Sequence, residues 1–334
     1  MNVMIYGMFG TTNLKVSKVG FGAWAIGGNA MIGTTAIGWG PADDQVSRQS
    51  IHAALDAGIN FFDTADIYGL GHSEKLLGET LAGQRDVLIA SKAGNCAVDG
   101  VFSSNYSKKY LLAACDASLI RLKRDVIDYY QMHSARLEHL NQMECVEAMD
   151  QLKQAGKIRY WGLSLNTFDP EPEAAWLMDR RLGEGFQLVL NLLNGNSIPL
   201  MRRAGKLGYG IIARMPLQFG LLSGKMTADR TFDRDDHRHK RLDSELQKEV
   251  LDYLDNHIWL LCDKYECSPL QLALSYITSF PEVSTVIPGM RTPAQVAGNT
   301  MPLITLASAD RDYLEQLFHS APGQAIWHEL IRRG

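Results

Sequence analysis

Short runs of β-branched and aromatic residues recur along the chain, most of them followed by polar residues and then by apolar positions at helical spacing. VGFGAW (19–24), GINFFD (58–63), DVLIASK (86–92) and VIDYYQMH (126–133) open the series. IRYWGLSL (158–165), FQLVLN (186–191), YGIIARM (209–215) and VSTVIPG (283–289) complete it. Each run reads as a strand. Between them DQVSRQSIHAALDAG, SKKYLLAACDASLIRL and NQMECVEAMDQLKQAG read as amphipathic helices, the first and last stopped by glycine. Eight strand-and-helix units are the number that closes a parallel barrel. The expected fold class is therefore α/β, a (β/α)8 TIM barrel built by residues 1–334 as a single domain.

Two departures from that rhythm carry their own expectations. NVMIYGMFGTTNLKVS, ahead of the first unit, predicts an N-terminal β-hairpin plugging the barrel floor. About 70 residues part the seventh and eighth strands, which predicts a long insertion there. The insertion carries DRDDHRHKRLDSE, and charges without apolar anchors have nothing to bury. It reads as a solvated loop, with a mobile flap over a ligand as the functional alternative; His237 and His239 read as polar residues of that loop, not as metal ligands.

Composition narrows the partners. The 33 basic and 37 acidic residues leave a formal charge of -4 without any long Lys/Arg run, so neither nucleic acid nor an anionic membrane has a footprint to bind. Five scattered cysteines show no CxxC and no zinc-like spacing, which suits reduced thiols in a cytoplasmic protein. MNVMIYGMFGTT has no basic segment followed by an apolar one, and nothing approaches a membrane span. GFGAWA imitates a dinucleotide-binding glycine turn, with Asp43 and Asp44 downstream, but the sequel IGGNAMIGTTAIGWGP holds five glycines and a proline and cannot continue as a helix.

The strands of such a barrel end on one rim, where active sites are built. Those ends supply Asp63 and Tyr68 after the second strand, Lys92 after the third and His133 after the fourth. A phenol is a poor acid at neutral pH, but an adjacent ammonium favours the phenolate. Lys92 is the candidate ammonium, Asp63 its counter-ion, His133 the group that fixes a carbonyl oxygen, and Tyr68 the general acid. Such an acid suits carbonyl reduction, and since no side chain donates hydride, a nicotinamide cofactor is implied. Asp66 reads as a turn or helix-start residue and Ser73 as the cap of the helix that follows.

FFDTADIYGLGHSEKLLGE, IASKAG and YYQMHSA carry these four residues in order, and over nearly its whole length the chain resembles the aldo-keto reductase family. The resemblance implies Asp63, Tyr68, Lys92 and His133 as the catalytic set. GFGAW resembles the segment passing the nicotinamide, which implies Gly22, Ala23 and Trp24 there, with Trp24, Tyr68 and His133 lining the substrate pocket. GLSLN resembles the segment whose Ser and following Asn hold the carboxamide together with a Gln of the sixth strand, here Ser164 and Gln187. Leu165 stands where the commonest pattern has Asn, so Asn166 takes that role only through a rearranged backbone.

ARMPLQFGLLSGK resembles the segment under the nicotinamide and along the pyrophosphate, which implies Arg214, Pro216, Leu217, Gly220, Leu222, Gly224 and Lys225. Arg214 replaces a tyrosine that many members stack on the ring, and a planar guanidinium can stack too. VIPGMRTPAQVAGN resembles the grip on the adenosine end, which implies Gly289, Met290, Arg291, Gln295 and Asn299. It lacks the Lys and Arg of familiar NADPH binders, at positions 289 and 295, but Arg291 offers a charge for a 2′-phosphate. The expected cofactor is NADPH, with NADH as the alternative.

The activity so implied is reduction of aldehydes or ketones, or oxidation of the corresponding alcohols or sugars, by a monomer or small homo-oligomer. Two alternatives stay open: a cofactor-sensing subunit similar to potassium-channel β subunits, and an aldolase using Lys92 as a Schiff-base nucleophile. Pocket shape is expected to come from NAMIGTTAIGWGPADD, the stretch after Gly94 and the C-terminal SAPGQAIWHELIRRG.

Overall fold

The computed structural model describes residues 4–333 apart from residues 34 and 235. Eight parallel strands pair in chain order: β1 Phe21–Gly22, β2 Phe61–Asp63, β3 Leu88–Ala93, β4 Ile127–His133, β5 Ile158–Ser164, β6 Gly185–Val189, β7 Gly210–Arg214 and β8 Val283–Val286. Bridges from Val19 to Val286 and from Gly22 to Gly289 close the sheet. At that seam the Gly22 N–H donates to the Pro288 carbonyl at 3.0 Å. A Cβ on Gly22 would lie 2.8 Å from the Ile287 carbonyl oxygen, so the closure needs glycine. The (β/α)8 barrel expected from the periodicity is the fold observed.

The hairpin, Tyr6–Met8 against Lys15–Ser17, plugs the floor. Phe9 is fully buried, its ring centroid 4.7 Å from that of Tyr129 and 6.5 Å from that of Phe61. Gly185 and Gly210 make room for it, since a Cβ on either would come within 2.6 Å of the Phe9 ring. Burial of one such side chain stabilises the plug by roughly 1.5–3 kcal/mol.

Strand alternation separates two cores. Ile89, Tyr130, Met132 and Leu163 face the surrounding helices, whereas Phe61, Ala90, Tyr129 and Ile212 face inward and fill the lower barrel with Phe9. Two residues further along the same inward positions come Asp63, Lys92, Gln131 and Arg214. The barrel is thus apolar at its lower end and ionisable at its upper end.

The helices start where the capping pattern permits. Asp43 caps Asp44–Asp56 and Ser107 caps Lys108–Leu122. Ser73 is a correction: the helix His72–Thr80 begins after Gly71, in the left-handed region at φ 92, with no side-chain cap. Ser73 instead lies buried within the first turn, its hydroxyl donating to the Ala23 carbonyl at 3.0 Å and sharing a 2.8 Å bond with Thr64. It ties this helix to the turn after β1. The insertion between β7 and β8 holds the helices Ser244–His257, Leu260–Tyr265 and Pro269–Thr278, and Asp243, at the end of the charged run, is the N-cap of the first.

Candidate active site

Register brings the polar residues together. Asp63 pairs with Ala90 across β2 and β3, Lys92 with Gln131 across β3 and β4, His133 with Ser164 across β4 and β5, and Ser164 with Gln187 across β5 and β6. Tyr68 arrives from the loop after β2. The Lys92 ammonium donates to Asp63 at 2.7 Å, to the Thr64 carbonyl at 2.8 Å and to the Tyr68 hydroxyl at 3.1 Å. It also lies 4.8 Å from the Tyr68 ring centroid. The His133 ring stands edge-on to Tyr68 at 6.0 Å and the Trp24 ring at 4.7 Å.

Lys92 is fully buried behind Tyr68 and does not itself line the cavity among the described residues. Burial opposes its charge, but Asp63 and Tyr68 outweigh burial and hold the ammonium above its ordinary 10.5. For Tyr68 the balance differs from the expectation. Burial pushes the phenol above its ordinary 10.0, and although Lys92 pulls it down, Asp63 adds to the rise and burial prevails. Tyr68 therefore keeps its proton at neutral pH while standing beside the cation that eases its departure. Burial, reinforced by Lys92 and Arg214, holds the His133 imidazole well below 6.5, so it is neutral.

Asp63 has two more partners. Its second oxygen accepts from Gln187 at 2.7 Å and from Gln131 at 3.3 Å. Gln131 was not anticipated, although it lies two residues before His133 on the same inward side of β4. Gln187, expected to hold a carboxamide, is here bonded to Asp63.

Asp63, Tyr68 and His133 line a cavity of about 750 Å³, within the range of small-molecule and cofactor sites. Gly22, Ala23 and Trp24 line it with them. Ser164, Gln187, Arg214, Pro216, Leu217 and Gly220 continue the lining, and Lys225, Gly289, Arg291, Gln295 and Asn299 extend it. Asp63, neutralised by Lys92, is the only acid in that lining among the described residues, against Arg214, Lys225, Arg230, Arg238, Arg241 and Arg291. A cavity of this volume, lined by a proton-holding tyrosine and many cations, fits a nicotinamide dinucleotide with its phosphates.

Besides Lys92, four sequence-derived candidates fall outside the lining. The Asn166 side chain turns back on its own loop, accepting the N–H groups of Phe168 at 3.0 Å and Asp169 at 3.1 Å. Leu222 and Met290 are fully buried in the apolar core, and Gly224 ends the short 3₁₀ turn Gln218–Ser223 in a left-handed conformation. The C-terminal segment also departs from expectation, for no described residue beyond Asn299 lines the cavity. Trp327 instead supports Phe168, which does line it, from behind at 6.1 Å.

The charged run divides between its two expectations: Asp233, Arg234, His239 and Lys240 are exposed, as a solvated loop requires, whereas His237, Arg238 and Arg241 turn inward and line the cavity as a roof, as the alternative of a flap requires. Asp236 forms a bridge with Trp39, and the His237 N–H donates to the Gly38 carbonyl at 3.3 Å. Arg238 grips Asp236 at 2.6 Å and lies over the Phe232 ring at 4.4 Å and the Trp39 ring at 5.4 Å. Arg241 lies 5.5 Å from the Phe219 ring, and the His237 ring approaches those of Phe219 and Trp24 at 6.1 and 6.4 Å. Burial, then Arg241, lowers His237 to about 4, so this roof residue is neutral. Trp39, Phe219 and Phe232 are the apolar anchors; they are scattered through loops, and no periodicity announces them.

A model of the Aldo/keto reductase family matches residues 18–317. Aldo-keto reductase YhdN of Bacillus subtilis (strain 168) is 32% identical over 352 aligned positions, covering 98% of each chain. The NADH-specific methylglyoxal reductase of Escherichia coli (strain K12) is 28% identical over 92% of this chain and 96% of its own. Among solved structures, the glycerol dehydrogenase AKR11B4 from Gluconobacter oxydans aligns with a TM-score of 0.77 at 28% identity, over 95% of this chain and 96% of that one.

Proposed function

Because this chain belongs to the aldo/keto reductase family, we propose that it reduces aldehydes or ketones, and oxidises the corresponding alcohols or sugars in reverse, with Tyr68 as the proton donor and acceptor. The observation that carries this reading is the single ammonium, Lys92, bonded at once to Asp63 and to the Tyr68 hydroxyl. A nicotinamide cofactor, when bound, would supply the hydride. Tyr68 gives its proton to the oxygen of the carbonyl as negative charge develops there. Lys92 stabilises the phenolate left behind, and Asp63 keeps Lys92 in place and charged. His133, neutral, orients the same oxygen by donating an N–H to it. Trp24 walls the site and helps exclude water.

A Schiff-base role for Lys92 finds no support, since that chemistry needs a neutral, reachable amine. This one is fully buried, has three acceptors and is held in its charged form.

For the cofactor, the reading is NADPH over NADH, with Arg291 as the 2′-phosphate partner and Gln295 and Asn299 facing the adenine. Arg291 is pre-positioned, its Nη1 donating to the Trp39 and Pro41 carbonyls at 3.1 and 3.2 Å. Its remaining N–H donors are available to an anion. A panel of aldehydes, ketones, alcohols and sugars, followed through nicotinamide absorbance in both directions, tests the activity. Measuring kcat/KM for NADPH and NADH in wild type and Arg291→Ala tests the cofactor. NADPH preference is expected and should shrink in the variant; an NADH preference indifferent to it would contradict the cofactor reading.

A further inference from the structure

The carboxamide end of the proposed cofactor meets an incomplete set of protein partners. Three were expected there: Ser164, the residue after it and Gln187. Leu165 has no polar side-chain atom and is fully buried in the apolar layer between barrel and helices. Asn166 is committed to its own turn, and the Gln187 amide donates to Asp63 at 2.7 Å. Of that group Ser164 and Gln187 both line the cavity, and Ser164 is the one whose side chain makes no other hydrogen bond among the described residues.

One side chain stands ready at this place. Arg214, at the end of β7, sends its guanidinium across β6, where Nη2 donates to the Leu165 carbonyl at 3.1 Å and to the Thr167 hydroxyl at 3.0 Å. It is therefore pinned to the backbone of the residue that replaces the usual asparagine. Its Nε–H is buried and has no partner among the described residues, which is costly for a charged donor unless something accepts from it. The group also lies near enough to Tyr68 and Asp63 for their charges to act on it, so its surroundings include the place where the nicotinamide must reach the carbonyl.

We infer that Arg214 takes over from the missing asparagine as a positioning residue, with its unpartnered Nε–H and Ser164 together holding the nicotinamide carboxamide. The inference rests on the functional reading above, since it requires a nicotinamide in this cleft. It has a chemical consequence that ring stacking alone lacks. A guanidinium facing this substituent accepts a carboxylate at least as well as an amide, whereas a side chain stacked on the ring is indifferent to the exchange.

The test is a binding measurement without substrate, using quenching of the cavity tryptophans Trp24 and Trp39 in the full-length protein. The probes are NAD⁺ and NADP⁺, each compared with its nicotinic acid counterpart, which carries a carboxylate in place of the carboxamide. Wild type is expected to bind the acid forms as tightly as the amides or more tightly. Arg214→Gln should weaken the acid form about ten-fold or more relative to the amide, the size of one lost charge-assisted hydrogen bond. Arg214→Lys, which keeps the charge without the fork, should fall between. The wild-type comparison stands even if a variant fails to fold. Wild type strongly preferring the amides, or variants with an unchanged acid-to-amide ratio, would overturn the inference and leave the functional reading intact. Binding of neither form by wild type would overturn both.

Discussion

Asp63, Lys92 and His133 are placed by backbone pairing, whereas His237, Arg238 and Arg241 are placed by side chains that meet across the chain. The first group sits at the ends of β2, β3 and β4, where register and inward alternation decide both depth and direction. The second sits in a loop whose course depends on one bridge to Trp39, one ion pair with Asp236 and three aromatic faces. Both groups serve the same cavity with charged and imidazole side chains, Lys92 from behind Tyr68 and the others from the lining. A rigid frame suits groups that must keep a proton within hydrogen-bond reach, and a side-chain latch suits a cover that opens and closes.

That contrast predicts a division of effects, and the largest is at Lys92. Lys92→Met leaves the Asp63 carboxylate buried without its cation, which should cost about 3–5 kcal/mol of stability and abolish most turnover. Urea denaturation and single-turnover assays measure the two, and a variant as stable as wild type would mean that the pair is not the keystone of the frame. Arg238→Ala should act the other way. Losing a partly buried ion pair and two cation–π contacts of about 0.5–1 kcal/mol each should speed cofactor release roughly ten-fold by stopped-flow fluorescence, with chemistry at saturation unchanged. A slower chemical step with unchanged release would erase the distinction between frame and latch.

The frame was legible in the sequence because its signals are local. A strand signal ending in Asp63 and followed by Tyr68, a strand carrying Lys92 and one ending in His133 each locate one member on the rim, and eight such runs place the rims on one circle. Gln131 was equally readable from its spacing of two before His133. The roof was legible only as the second reading of the charged run, because its anchors Trp39, Phe219 and Phe232 follow no period and only the folded chain brings them under the charges. Asn166 shows the converse limit. Its amide satisfies two backbone N–H groups of its own turn, a local use that competes with any role in the cavity.

Smaller effects sharpen the same line. With the Tyr68 phenol raised above 10.0 and His133 held neutral well below 6.5, the donor stays protonated and the imidazole uncharged throughout the neutral range. Carbonyl reduction should therefore show no acidic limb near 6.5 and hold its rate into mildly alkaline solution, while alcohol oxidation, which needs the phenolate, climbs with pH. An acidic limb centred at 6.5 would contradict the neutral His133. The smallest effect concerns Asp66, beside the frame but outside it, whose carboxyl has a buried oxygen without a partner among the described residues. Burial, reinforced by Glu74, raises it well above 3.8. The native state then binds the extra proton, so this group erodes stability as pH rises above 3.8. Asp66→Asn should match wild type near pH 4 and become relatively more stable toward pH 7; a gap that shrinks with pH would contradict that environment.

The most direct test of the account is a single-turnover reduction by Tyr68→Phe at saturating cofactor, paired with a cofactor titration of the same variant. Removing one hydroxyl from the frame should slow the chemical step by about 10²–10⁴-fold, the usual range for a general acid, and leave the cofactor Kd within a few-fold of wild type. A variant that turns over at the wild-type rate would show that the proton comes from elsewhere.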